Sequence, residues 1–336
     1  MSRLYFAVDT SNYTTSAAVY DAEHNAVYHA KRLLPVRKGE KGIRQSEAVF
    51  HHTQQLPEMT AKALNRAEEG LHAVPGSLRF SAFGASARPR RKADSYMPCF
   101  LVGTCSAGNS AAVAGVPFYA FSHQEGHVAA ALYSSGRLDL VGKDFLAFHV
   151  SGGTTESLLV HPGEKVPLQI ECIGTSTDLK AGMAIDRVGL MLGLSFPAGP
   201  ALEQLALQSE KEFRIHPSVR GMDCSLSGVE NKCRAMLEKG EPPADIARFC
   251  LRYIEASLRL MATRLMAAYP GLPIVFSGGV MSNSLIRRDF TEEFGASFAS
   301  PEFSADNAAG TAVLTALSAE AGLPPADPAA ICAARK

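Results

Sequence analysis

The stretches AVDTSNYTTSAAVY (7–20) and AFHVSGGTTESLLV (147–160) carry the same punctuation. In the first, an apolar run (4–8) meets a polar turn (9–15), and a second apolar run (17–20) follows. In the second, the runs 146–150 and 158–160 flank the turn 151–156. Each reads as a strand, a tight turn and a strand returning beside it. Aligned, the two share Ala7 with Ala147, Ser11 with Ser151, Thr14 with Thr154 and Thr15 with Thr155. This common grammar predicts two lobes built on a duplicated unit. The alternative is that two hairpins are alike by chance.

Working outward, the pattern predicts helices over 47–66, 107–114, 123–132, 180–192, 201–208, 227–239, 244–268 and 284–294. Short strands are expected at 117–121 and 273–276. Strands alternating with helices indicate an α/β architecture. The expected organisation is one lobe over 1–125, rejoined by the segment near 304–320, and a second over 126–303. The Ala- and Pro-rich residues 321–336 read as a loose tail.

Composition narrows the function classes. Hydrophobic residues make up 46% of the 336, enough for a large core, so global disorder is excluded. The 33 basic residues are matched by 33 acidic ones, which excludes a uniformly basic nucleic-acid binder but not a local patch. Seven cysteines, odd in number and never spaced C-x-x-C, point to reduced thiols in a cytoplasmic protein. No apolar run reaches the ~18 residues of a membrane span, and the first residues lack a signal peptide's apolar centre. No membrane partner is expected.

Glycines after a strand let backbone N–H groups approach an anion, and a helix start beyond adds its positive end. Three places fit: the first turn (Asp9, Ser11, Asn12, Thr14), where hydroxyls stand in for glycine; Ser151-Gly152-Gly153; and Ser277-Gly278-Gly279. Taken singly, such turns mostly serve geometry. Taken as a set, phosphate-binding hairpins from two lobes with a nucleotide between them resemble the actin-like ATPase superfamily, built from duplicated RNase H-like units.

His123-Gln124-Glu125-Gly126-His127 places two imidazoles four residues apart, on one face of a helix and within reach of one metal ion. The other reading is a helix with two unrelated histidines. A zincin carries Glu directly after its first His, and the inverted motif carries Glu directly before its second. Here those positions are Gln124 and Gly126, so a cation that polarises an oxygen fits better than one that makes hydroxide for peptide cleavage.

Six segments together resemble the universal threonylcarbamoyl-transferase family, long labelled O-sialoglycoprotein endopeptidase. They are HQEGH (123–127), VSGGTTESLL (150–159), DLKAGMAIDRVGLMLGLSFPAGPALEQLA (178–206), DCSLSGVENKCR (223–234), FSGGVMSN (276–283) and SADNAAGTA (304–312). The resemblance implies an actin-like fold and one divalent metal, iron or zinc, held by His123, His127 and Asp306. His149, where some relatives carry a metal-contacting tyrosine, is either a fourth ligand or a buried strand histidine. An adenine nucleotide (threonylcarbamoyl-AMP, or ATP/ADP) is implied at the second hairpin (His149, Val150, Ser151, Gly152, Gly153), with Asp186, Gly199, Glu203, Gly278, Gly279 and Asn283. The alternative for Asp186 is an ordinary exposed helical acid. The implied reaction transfers threonylcarbamoyl from the adenylate to adenosine beside the tRNA anticodon, with no protein nucleophile.

The chain departs from that family at several points. An adjacent acidic pair in the family's first turn is here Tyr13 and Thr14, and Thr154 stands where bacterial relatives carry histidine. The usual Gly-Pro-Gly segment is replaced by residues 86–98. These losses remove acid–base candidates and suggest a diverged paralogue. Rival readings are a non-catalytic nucleotide-binding scaffold in a tRNA-modification complex, and a metallopeptidase. Basic loops at 31–44 and 88–92 are expected either to meet tRNA phosphates or to be solvated. A paralogous protein partner or a homodimer is a further expectation.

Overall fold

The structure is a computed structural model that describes residues 3–11, 13–35, 43–92 and 95–333. The chain divides into two compact units. One comprises 1–142, 162–169 and 306–336; the other comprises 143–161 and 170–305. In chain order the first unit contains β1 (Leu4–Asp9), β2 (Thr14–Asp21), β3 (Ala26–Leu33), α1 (Gln45–Gly70), β4 (Phe80–Arg88), α2 (Phe100–Ala114), β5 (Phe118–Ser122) and α3 (His123–Ser134). There follow β6 (Phe145–Val150), β7 (Thr155–Pro162), β8 (Leu168–Thr175), α4 (Ala181–Met191), α5 (Gly199–Ala206), β9 (Ser218–Arg220) and β10 (Asp223–Ser225). Next come α6 (Ser227–Glu238), α7 (Pro243–Ala268), β11 (Ile274–Ser277), α8 (Ser284–Phe294), β12 (Ser297–Phe298) and α9 (Pro301–Ser304). The chain then re-enters the first unit as α10 (Ala309–Glu320) and α11 (Pro328–Ala333).

The duplication expected from the two hairpins is present in the sheet topology. One five-stranded sheet runs β3-β2-β1-β4-β5 and the other β8-β7-β6-β11-β12, so each strand has a counterpart. β1 pairs antiparallel with β2 and parallel with β4, while β6 pairs antiparallel with β7 and parallel with β11. β1 and β2 are buried almost throughout, because helices cover a sheet of this kind on both faces. On α1 the buried residues Ala48, His52, Leu56, Met59, Ala63 and Ala67 recur every three or four positions, forming one apolar stripe. It packs on the β1–β2 side chains Val8, Ala17 and Val19. The second unit has its own core, where Phe148, Phe276 and Phe290 meet the buried faces of α4 and α7.

Several boundaries differ from the expected ones. The first unit continues to Gly142, because residue 125 lies in the first turn of α3 and cutting there would split a helix. The tail contains α11, whose Ile331 packs on the first unit's core. Lys31 and Arg32 belong to β3, and Arg88 ends β4, so neither basic stretch is wholly loop. Residues 36–42 of the first stretch, and Asn12, lie outside the described residues. Among the described residues, no helix is long and apolar enough to cross a membrane.

Candidate metal centre and glycine cradle

In the first unit, Ser122 caps α3. Its hydroxyl accepts the Glu125 N–H, and the Glu125 carboxylate accepts the Ser122 N–H, a reciprocal capping box. Glu125 is further fixed by Arg91, whose Nε and Nη2 each donate to it at 3.2 Å. The cap sets the first turn of α3, and with it His123 and, one turn on, His127. Their Nε2 atoms lie 2.9 Å apart.

Asp306 comes from the other end of the sequence. It precedes α10, which is buried on nearly every side and crosses α3 closely. A Cβ on Gly310 would sit 1.9 Å from the Gly126 carbonyl oxygen, so only glycine permits this approach. The crossing brings Asp306 Oδ1 to 3.5 Å from His123 Nε2 and 3.3 Å from His127 Nε2. One ligand atom from each of the three residues lies within 4.8 Å of the others, and among the described residues this is the group so arranged.

The first turn supports this group. Asp9, 1% exposed, lies 2.8 Å through Oδ2 from His123 Nδ1, and the same oxygen accepts the Ser86 hydroxyl at 2.6 Å. Its Oδ1 accepts the Ser11 N–H at 2.7 Å. The Thr14 hydroxyl is 3.5 Å from Asp306 Oδ2. Asp9 lies at the end of β1 facing the start of α3, and its carboxylate there meets His123. The buried Ser11 hydroxyl has no hydrogen-bond partner among the described residues.

Burial disfavours charge on His123, yet Asp9 on one side and Asp306 on the other push its imidazole up to about 10. His127, buried and beside that cation, is held below its ordinary value. Against the same burial, both imidazoles hold Asp306 well below the usual carboxylate range, and His123, with Ser11 and Ser86, lowers Asp9. Two carboxylates facing one charged imidazole leave a surplus of negative charge. Two imidazole nitrogens and a carboxylate oxygen in such a field fit a transition-metal dication of the zinc or iron type.

In the second unit, the turn after β6 is held by Ser151 N–H donating to the Thr154 carbonyl (2.7 Å) and Thr154 N–H donating to the Ser151 hydroxyl (3.2 Å). The start of α4 abuts it: Gly182 N–H donates to the Ser151 carbonyl, and Ala181 N–H donates to the Thr155 hydroxyl. Gly278, at φ +96°, packs against Val150, whose carbonyl oxygen would be 2.2 Å from an added Cβ. Gly152 and Gly153 are exposed. Two glycine turns and a helix start thus meet in one small region, with Gly279 following on a 3₁₀ turn.

The remaining expected nucleotide residues fall into neighbouring pairs. Asp186 Oδ1 accepts the Ala198 N–H beside Gly199; the acid is half-buried, not an exposed helical one, and burial raises it above the ordinary value despite that bond. Glu203 accepts the N–H and hydroxyl of Ser284, next to Asn283. Asn283 uses its Oδ1 to cap α8, accepting from Leu285 and Ile286 N–H. His149 pairs through Nδ1 with the Ser277 hydroxyl (3.1 Å). Sequence reasoning missed Ser86 and the Gly126–Gly310 contact. Their only trace was small residues flanking the recognised motifs.

The structure resembles the crystal structure of T. kodakarensis HypF (TM-score 0.61, 15% identity, covering 96% of this chain and 48% of that one), and its two matched sheets are those of an actin-like ATPase fold. A profile of the tRNA N6-adenosine threonylcarbamoyltransferase family matches residues 96–313, and the chain belongs to that family. The Chloroherpeton thalassium protein of that name is 32% identical over 233 residues, 62% of this chain and 65% of the relative. A Thermus thermophilus protein of the same name is 32% identical over 258 residues, 75% of this chain and 72% of the relative.

Proposed function

We propose that this chain transfers a threonylcarbamoyl group from threonylcarbamoyl-AMP to N6 of a tRNA adenosine, with one zinc or iron ion held by His123, His127 and Asp306. The supporting observation is the convergence of those three side chains, 179 or more positions apart for the carboxylate, in a member of this family. When bound, the cation supplies a Lewis acid for an oxygen that gains negative charge. His123 and His127 present Nε2 on one side of the site and Asp306 closes the other. The region of Ser151, Gly152, Gly153, Gly278, Gly279 and the start of α4 suits a phosphate, since backbone N–H groups and a helix start attract anions. Asp186 and Glu203 offer acceptors to ribose hydroxyls, and Asn283 keeps its amide nitrogen for a base edge.

In the reaction the adenosine amine forms a bond to the carbamoyl carbon, the bond from that carbon to the phosphate oxygen breaks, AMP leaves, and one proton leaves the amine. The peptidase reading loses support because Glu125, the acid within the histidine motif, is committed to Ser122 and Arg91. For tRNA, Arg32 and Arg91 are ion-paired with Glu58 and Glu125, so the exposed Arg44 and Lys92 are the better phosphate contacts of the described basic residues.

The test uses the full chain, unmodified tRNA, and threonylcarbamoyl-AMP generated in place by its synthase, with nucleoside mass spectrometry as the readout. Transfer by the parent and its loss, together with bound metal, in His123→Ala and Asp306→Ala is expected. Unchanged metal content in both variants would overturn the assignment.

A further inference from the structure

Asp9 is a buried charged group that touches His123 without belonging to the proposed ligand set. It is 1% exposed, and its carboxylate has three well-formed partners: Ser11 N–H, the Ser86 hydroxyl and His123 Nδ1. Ser86 is itself fixed, with its oxygen 3.2 Å from the Thr311 hydroxyl on α10. A chain of contacts therefore runs from α10 through Thr311 and Ser86 to Asp9 and His123. It originates on the same helix whose preceding residue segment supplies Asp306.

A neutral imidazole can carry its proton on either nitrogen, and the hydrogen bond at one nitrogen decides which lone pair is offered at the other. We infer that Asp9 is a positioning residue. By accepting a hydrogen bond from His123 Nδ1 it keeps the proton there, so that Nε2 faces His127 and Asp306 as a donor, and it locks the ring's rotation. Ser86 in turn fixes the carboxylate. This inference rests on the metal reading above.

The experiment measures zinc affinity by chelator competition on metal-free full chain, for parent, Asp9→Asn and Ser86→Ala. Asp9→Asn should weaken zinc about 10- to 100-fold, the range for loss of such a partner, and Ser86→Ala by a smaller factor. In zinc-loaded protein labelled with ¹⁵N-histidine, the His123 Nδ1–H signal should shift or broaden in Asp9→Asn while the His127 signals stay in place. Thermal unfolding of the metal-free proteins checks folding, and Ser86→Ala serves if Asp9→Asn does not fold. Folded variants that bind zinc like the parent, with an unmoved His123 signal, overturn this inference alone. A parent that takes up no zinc overturns the metal reading and this inference with it.

A second observation stands apart from the site. Cys105 on α2 and Cys332 on α11, 227 positions apart, place their sulfurs 3.6 Å from each other. Pro328 of α11 packs over Gly108 of α2, where an added Cβ would be 2.7 Å away, so the two helices are already seated. Cys105 is exposed and Cys332 partly so, within reach of a small oxidant. The geometry points to a modification site at which a small-molecule disulfide converts the pair to an intramolecular bond. One thiolate attacks the oxidant and releases one thiol; the second thiolate attacks the mixed disulfide and releases the other. Two protein thiols are oxidised and one disulfide is reduced to two thiols. Treating native full-length chain with oxidised glutathione should yield a Cys105–Cys332 crosslink in a non-reducing peptide map, absent from Cys332→Ser. Finding only glutathione adducts, or both thiols unmodified, overturns it.

Discussion

The turn after β1 and the turn after β6 occupy matching places in two copies of one sheet, yet they are built from opposite materials. In the first, Asp9, Thr10, Ser11 and Thr14 are all at most 5% exposed, and their side chains reach inward to His123, α2 and Asp306. In the second, Gly152 and Gly153 are exposed and the structure around them is held by backbone N–H groups and the start of α4. A hairpin end can thus be specialised in two ways: side chains that orient other side chains, or bare backbone left open to an anion. The duplication preserves the scaffold and lets the two turns diverge in chemistry.

The sharpest way to break the first arrangement is Gly310→Ala. Its Cβ would meet the Gly126 carbonyl oxygen at 1.9 Å, and backbone cannot step aside without parting α10 from α3. A loss of about 3 kcal/mol is expected from such overpacking, and zinc uptake should fall with it because Asp306 rides with α10. Chemical denaturation and metal content of the same sample check both. The matching test of the second arrangement is Gly278→Ala, where the positive φ and the Val150 carbonyl at 2.2 Å both oppose a side chain. A cost of about 2 kcal/mol is expected, with zinc affinity unchanged in the folded fraction. If Gly278→Ala also abolished zinc binding, the two turns would not be separable in the way described.

A smaller effect tests what holds the second turn's surroundings. Asp178 accepts N–H bonds from Leu179, Leu226 and Ser227 and the Ser225 hydroxyl, tying the approach to α4 to the start of α6. Burial works against its charge, but these donors hold the carboxylate well below the usual range. A folded value below the unfolded one of about 3.9 means that this stabilisation is complete above that pH and is lost as pH falls toward the folded value. Asp178→Asn should therefore have a lower Tm than the parent at neutral pH, and a Tm that declines less on acidification below about pH 4. Parallel Tm–pH curves for the two proteins would remove Asp178 from the account.

Much of this was legible before the fold was known, and the illegible parts have physical reasons. The central hairpins are readable because both strands are buried and punctuated by polar turns. β3 escapes because it is an edge strand whose last residues, Lys31, Arg32 and Leu33, face solvent and break the apolar run. β4, FSAFGASAR, is built of small residues with weak strand preference. α10 is buried on nearly every side, its polar residues included, so it has no amphipathic period to detect. At the site, the His123–His127 spacing is local and readable. The arrival of Asp306 depends on Gly126 facing Gly310, a contact between positions 184 apart, and no spacing rule encodes it. Asp9 was readable as a turn residue but not as a histidine's partner, since that depends on β1 ending opposite the start of α3.

Thr14 gives the finest test of the first turn. Its hydroxyl lies 3.5 Å from Asp306 Oδ2, at the outer limit of a hydrogen bond. Valine keeps the branched shape and removes only the hydroxyl, so Thr14→Val isolates that one contact. A bond this long should contribute less than about 1 kcal/mol, and zinc affinity should change by less than about threefold, well short of the 10- to 100-fold expected for Asp9→Asn. The ranking matters more than either value. Were Thr14→Val to weaken zinc as much as Asp9→Asn, the hydrogen bond to His123 would have no special standing. The first turn would then act through its packing as a whole, as the second acts through its backbone.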